Sequence, residues 1–300
     1  MIQFEINALG AELQSLKYNG KEYLWQGDPQ FWSRRAPILF PIVGRLADDT
    51  LRIDGHEYKM KQHGFARDTE FVQTQMNATF DAFNGLRLVP TDAQLFLQML
   101  HEDRENYPFC HDLRVRYYQY GNTLEVKWEV KNRDDKTMYF QIGAHPAFLL
   151  PDYDSKQFVH GYFRCYNEAG QALLPITVSH LENGLRFSHF PKEVENKNGL
   201  IPITNSTFAD DAILLEGGNV KSVGLLDVKG EEILHVSCPQ AQVFGLWAPN
   251  KPGCPFVCIE PWCGVADRVG FNDDISQRDC IHKLKPGDIF IFDYSISILS

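Results

Sequence analysis

The chain lacks any apolar run approaching the ~20 residues that a membrane-crossing helix requires. It also lacks an excess of positive charge. Its 29 Lys and Arg stand against 39 Asp and Glu, for a formal net charge of −10, which argues against a nucleic-acid backbone or an anionic membrane surface as the main partner. Met1-Ile2-Gln3-Phe4-Glu5 has no basic stretch leading into an apolar core, so no signal peptide is expected. The seven cysteines are odd in number and show no paired framework, which suits a reducing cytoplasm. Cys254, Cys258 and Cys263 cluster, but C-x3-C-x4-C lacks the C-x2-C clip of a structural zinc site. No metal is expected there, and no cofactor elsewhere. Linkers rich in Pro, Gly or Ser, low-complexity tracts and internal repeats are absent too, so residues 1–300 read as one domain.

Helical periodicity is scarce. Short helices are expected around Pro29–Arg34 and Asn272–Arg278, and another in Phe187–Val194. Period-2 alternation dominates instead. Leu124, Val126, Trp128 and Val130 share one face, with Glu125, Lys127, Glu129 and Lys131 on the other. Phe290, Phe292, Tyr294, Ile296 and Ile298 repeat the pattern. Asn19-Gly20, Asp54-Gly55, Gly121-Asn122 and Lys229-Gly230 each sit between alternating runs as hairpin signals. Asn183–Asn205 is polar and loop-like. Many strands joined by tight turns, with no βαβ rhythm, predict an all-β fold, a large antiparallel sandwich or barrel.

Chemistry-bearing residues fall in a few places. In Phe256-Val257-Cys258-Ile259-Glu260, read as a strand, Phe256, Cys258 and Glu260 share a face. The carboxylate ends an apolar row beside Pro261 and Trp262. The plain alternative is a solvated strand end paired with a surface Lys or Arg. Gly143-Ala144-His145-Pro146 holds an imidazole after two small residues, again before a proline; a histidine bonded to a carbonyl is the alternative there. Arg45 follows Gly44, and His63 and Arg67 flank Gly64-Phe65-Ala66. Arginine's planar fork suits vicinal oxygens, while an Arg67–Asp68 local ion pair is the plain reading. Asp210-Asp211 precedes Ala212-Ile213-Leu214, and by default a pair of acids there is solvated.

Five stretches together resemble the aldose 1-epimerase (galactose mutarotase-like) family, in its LacX-like branch. They are Ala36–Leu46 (APILFPIVGRL), Gln62–Asp68 (QHGFARD), Gly143–Phe148 (GAHPAF), Asp211–Leu214 (DAIL) and Ile259–Gly264 (IEPWCG), in family order across nearly the whole chain. The resemblance implies a galactose mutarotase-like β-supersandwich with a few short helices and an open cleft on one sheet. It implies Glu260 as general base and His145 as general acid, flanking a pyranose from opposite sides. His63 matches a histidine that contacts the sugar. Arg45 and Asp211 match binders of sugar hydroxyls, Asp211 being favoured over Asp210. Arg67 and Trp262 are weaker matches, Trp262 as a platform for an apolar sugar face.

Such a pair needs no cofactor. Glu260 takes the anomeric hydroxyl proton, His145 protonates the ring oxygen, and the opened aldehyde recloses on its other face. Each placed acid or base contributes roughly 10²–10⁴ in rate. The scheme calls for a charged His145 and an ionised Glu260 near neutral pH, with Asp211 helping to keep the imidazole protonated. The expected partner is a small-molecule sugar, an aldose or an aldose phosphate. A phosphate dianion would need a cationic pocket, for which Arg34, Arg35, Arg67 and Arg268 are available. Departures from the better-known galactose mutarotases, Gly143-Ala144 and Pro261-Trp262, leave the acid–base pair intact but put hexose preference in question. The rival readings are a non-catalytic carbohydrate-binding module and a metal-dependent isomerase with His63, His145 and Glu260 as ligands. The second lacks the tight H-x-H pair of such sites.

Overall fold

The computed structural model describes residues 2–73, 94–101, 104–173, 177–187, 192–193 and 198–299. Two nine-stranded, antiparallel sheets dominate the described residues. The first runs in the order 201–204, 159–166, 222–226, 232–237, 289–298, 123–132, 111–120, 94–101 and 72–73. The second runs 185–186, 177–182, 213–215, 243–247, 256–263, 142–144 and 38–39, with 147–149 also pairing to 256–263 and 192–193 to 177–182. A three-stranded sheet spans 2–22, and two smaller hairpins or pairs complete the strands.

All four hairpin signals connect paired strands. Asn19-Gly20 links Glu12–Tyr18 to Lys21–Glu22, and Asp54-Gly55 links Thr50–Ile53 to His56–Lys59. Gly121-Asn122 and Lys229-Gly230 turn the chain within the first sheet. The alternating runs bury the predicted faces: Trp128 stacks on its cross-strand partner Phe292 at 5.2 Å. Burying a large apolar side chain stabilises by roughly 1.5–3 kcal/mol. The shared core joins Val126, Trp128, Phe292 and Tyr294 of the first sheet to Phe244, Val257 and Ile259 of the second. The other face of the second sheet therefore faces away from the first sheet.

The helix expectations need correction. The described residues contain only single 3-10 turns, at Ala47–Asp49, Ala66–Asp68 and Ile275–Gln277. The third lies inside the expected Asn272–Arg278 helix, where Asp274 caps it by accepting from the Ser276 amide. Residues 29–34 form turns and bends: the turn begun by the Phe31 and Trp32 amides on the Asp28 carbonyl is not extended, because the Trp32 carbonyl accepts the Trp25 indole N–H and the Arg35 and Ala36 amides donate to the Glu12 carboxylate. Most of 188–194 lies outside the described residues, and Lys192–Glu193 is a strand. The polar stretch Asn183–Asn205 also contains short strands at Leu185–Arg186 and Ile201–Thr204.

Candidate functional site

The strand Phe256–Cys263 divides its side chains as the alternation predicts. Val257 and Ile259 enter the shared core, while Phe256, Cys258 and Trp262 join apolar clusters on the opposite face. Glu260 lies on that opposite face. It is not a strand end, contrary to expectation: pairing continues through Phe244↔Pro261 and Val243↔Trp262. The reason is local. Ile259 donates its amide to the Pro146 carbonyl, and the residue two further on directs its backbone nitrogen to the same side. There the neighbouring strand is broken, ending at Ala144 and resuming at Ala147, so Pro261 forfeits no ladder bond.

That break carries His145. Gly143 pairs with Trp262 and Ala147 with Cys258, so of the three residues between them Ala144 ends the strand and His145-Pro146 fill the break directly alongside Glu260. The His145 Nε2 lies 3.2 Å from Glu260 Oε2. No pyranose fits between them, which corrects the picture of groups on opposite sides. They address one point from one side, as suits two oxygens bonded to a single carbon. Glu260 is 1% exposed and has no Lys or Arg partner among the described residues, so the solvated ion-pair alternative fails.

Trp262 is 2% exposed. Its indole lies across two glycines: a Cβ on Gly143 would come within 2.6 Å of Cδ1, and one on Gly245 within 2.9 Å of Cζ2. Trp262 is therefore the buried floor of the site and not an open platform for a sugar face. Partly exposed aromatics stand around His145 instead. Trp32 stacks on its ring at 4.8 Å and Trp247 meets it edge-on at 5.5 Å. Sequence reasoning missed both. Trp247 ends an apolar strand, and Trp32 is a large aromatic in an irregular segment; that placement was the available signal.

Burial dominates the electrostatics. It pushes the Glu260 carboxyl well above its ordinary value, and the nearby Asp211 charge pushes the same way. The Trp262 indole opposes this slightly, although its N–H completes no well-aligned hydrogen bond. Burial pushes the His145 imidazole down to about 3, reinforced by the Arg67 and Arg34 charges. A buried pair 3.2 Å apart resists separated charge unless hydrogen bonds compensate, and Glu260 Oε2 and His145 Nδ1 have none. The resting pair is accordingly neutral, sharing one proton. This corrects the expected resting imidazolium, and Asp211 acts on Glu260, where it was expected to act on His145.

The remaining predicted residues divide into two groups. His63 adjoins His145, with ring centroids 5.7 Å apart. Its Nδ1 accepts the Gly44 amide, which leaves the proton on Nε2. Burial holds it neutral, well below its ordinary value. Asp211 is half-buried, takes a left-handed backbone that Asp tolerates (φ 76°), and accepts the Ala212 amide at 2.8 Å. Asp210 is exposed, so Asp211 is the residue that acts on the site. Arg67 is largely buried, with Nε unpartnered, and burial plus the Arg34 charge lowers it to about 10. Its contact with Asp68 is a loose 3.9 Å, because Asp68 pairs with Arg34 at 2.6 Å. Arg45 stands apart: it binds Asp49 and donates to the Asn183 carbonyl. Arg35 is held by Gln14 and Arg268 by Asp279, so of four arginines only Arg34 and Arg67 act on His145.

Known proteins are similar to this chain in sequence and in fold. Protein LacX (plasmid form) of Lactococcus lactis subsp. lactis is 30% identical over 307 residues, covering 100% of this chain and 96% of the relative. A galactose mutarotase related enzyme from Lactobacillus acidophilus superposes with a TM-score of 0.85 at 31% identity, covering 100% of this chain and 95% of that one. A galactose mutarotase-like protein from Lactobacillus casei gives the same TM-score at 24% identity over 99% and 97% of the two chains, a likeness of fold. The family model described as aldose 1-epimerase matches residues 2–297, which takes in every stretch carrying Arg45, His63, His145, Asp211 and Glu260. With a family model matching nearly the whole chain and a relative 30% identical across it, this chain belongs to the aldose 1-epimerase family.

Proposed function

We propose that the protein interconverts the α and β anomers of an aldose, with Glu260 as general base and His145 as general acid. The observation that carries this reading is the 3.2 Å approach of the two groups on a buried sheet face. The anomeric hydroxyl and the ring oxygen share one carbon, so acid and base must converge on one place. The resting pair holds the single proton the cycle requires. Sugar hydroxyls donating to Glu260 Oε2 stabilise the carboxylate and move that proton to His145 Nε2. Glu260 then takes the anomeric proton, His145 protonates the ring oxygen, and reclosure on the other carbonyl face reverses both transfers. His63 Nε2–H, Asp211 and Arg67 supply donors and acceptors for the sugar, and Arg45 binds at the edge.

An aldose phosphate is the second reading, favoured by the Arg34 and Arg67 charges acting beside His145. A non-catalytic binder has no use for a desolvated acid–base pair. The shared core of both sheets supports residues 1–300 as one domain. Among the described residues no helix is long and apolar enough to cross a membrane. Seven free cysteines support a reducing compartment, the cytoplasm.

Anomer exchange measured by polarimetry or NMR across free aldoses and their phosphates tests the proposal. Glu260→Gln and His145→Asn are each expected to lose about tenfold to a thousandfold in turnover while remaining folded. A near-normal rate in Glu260→Gln refutes the base assignment.

A further inference from the structure

One side chain on this face has no part in proton exchange with a sugar. Cys258 precedes Glu260 by two residues on one strand, so both project to the same side. The strand break carrying His145 is held alongside them through the Ala147↔Cys258 pairing. One ligand atom from each of His145, Cys258 and Glu260 lies within 4.8 Å of the other two, and all three residues are buried. Apart from the 3.2 Å approach of His145 Nε2, Glu260 Oε2 is buried without a hydrogen-bond partner, and His145 Nδ1 is buried without one as well.

We propose that His145, Cys258 and Glu260 form a binding site for a thiophilic divalent cation, Zn²⁺ in preference to Mg²⁺ or Ca²⁺, and that its occupancy switches anomerisation off. One nitrogen, one sulfur and one carboxylate oxygen form a donor set that zinc accepts and hard cations disfavour. In a tetrahedral zinc site, ligand atoms of these types sit about 3.3–3.6 Å apart. The 3.2 Å between Nε2 and Oε2 lies just below that range, and the thiol has to close the remainder from within 4.8 Å. Binding releases two protons to solvent: the thiol proton, replaced by a Zn–S bond, and the proton held between Glu260 and His145, replaced by Zn–O and Zn–N bonds. Water completes the tetrahedron as the fourth ligand. The Nε2 lone pair and the carboxylate are then metal ligands and no longer exchange protons with an anomeric centre. The inhibitory half rests on the anomerisation reading, whereas the binding half does not.

The test uses the full chain freed of metal, with Co²⁺ and Zn²⁺ as probes. Titration with Co²⁺ is expected to give a thiolate-to-cobalt charge-transfer band at one ion per chain, and calorimetry one Zn²⁺. Cys258→Ser, with Cys258→Ala as a second variant, is expected to lose the band and to bind Zn²⁺ at least about tenfold more weakly. Zn²⁺ is expected to inhibit wild-type anomerisation reversibly by EDTA, and the Cys258 variants to keep their basal rate and lose that sensitivity. A folded wild-type protein without the band, or a Cys258 variant that binds Zn²⁺ unchanged, overturns the site. A band in a protein that accelerates no anomer exchange upholds the site and refutes the sugar reading. Anomerisation that persists with the site filled refutes the inhibition alone.

Discussion

Gly143→Ala adds one methyl group to the floor of the site, and the structure states what it meets. The new Cβ would lie 2.6 Å from Trp262 Cδ1, 3.2 Å from its Cγ and 3.3 Å from Val43 Cγ2. Ordinary carbon contacts are about 3.5–4.0 Å, so the overlap with the indole is roughly an ångström. Trp262 has no retreat, because its other edge already lies over Gly245. Overpacking of this kind costs about 1–3 kcal/mol. Against it stands the usual benefit of replacing glycine, about 0.4–1 kcal/mol from a less flexible unfolded chain. Gly143 is outside the left-handed region, so no backbone strain adds to the cost. The net expectation is a loss of about 1–2 kcal/mol. In a Trp262→Ala background, itself weaker by about 3–5 kcal/mol, the methyl enters vacated space and only the glycine benefit remains. Urea unfolding of the four proteins, read by linear extrapolation, measures the coupling, expected at about 1–3 kcal/mol. Trp262→Leu serves if the alanine variant does not fold. Should Gly143→Ala cost the same with and without the indole, or cost nothing in wild type, the packing argument is wrong.

Three further outcomes follow from the electrostatics of the site. The folded chain keeps the Glu260 proton that the unfolded chain releases above its ordinary value of 4.5, so this group makes stability fall as pH rises. Glu260→Gln should therefore stabilise the fold, more at about pH 8 than at about pH 5; a gain that shrinks with rising pH contradicts the burial argument. His145 has the opposite sign: the unfolded chain takes up a proton below 6.5 and the folded one only near 3, so its stability contribution is lost as pH falls between them. His145→Asn should flatten that acid limb of the urea midpoint. Removing the Arg67 charge, as in Arg67→Gln, should raise the His145 titration midpoint in an NMR titration, since that charge depresses it; an unmoved midpoint separates the two residues. Arg45→Ala should raise the Michaelis constant with turnover held, and a pure turnover defect contradicts the binding role proposed for it.

Strands and turns were legible in the sequence because their cause is local. Alternation decides which side of a sheet a residue occupies, and Asn-Gly or Asp-Gly supplies the backbone a tight hairpin needs. From those rules alone came the face shared by Cys258 and Glu260, the buried row Leu124–Val130 and four hairpins. Helix boundaries failed where the cue was weak, as in residues 29–34, where the distant Glu12 carboxylate takes the Arg35 and Ala36 amides that a helix would need. The five motif stretches named the site residues but said nothing of how they meet. Contact between His145 and Glu260, 115 positions apart in the chain, depends on a neighbouring strand breaking off at Ala144 and resuming at Ala147. Trp262 went from supposed sugar platform to buried floor because two glycines on different strands vacate the space it fills. Charge states were decided by the same means. A sequence lists which groups titrate, but burial and the proximity of Arg67, Arg34 and Asp211 set which form each one takes, and those belong to the folded chain alone.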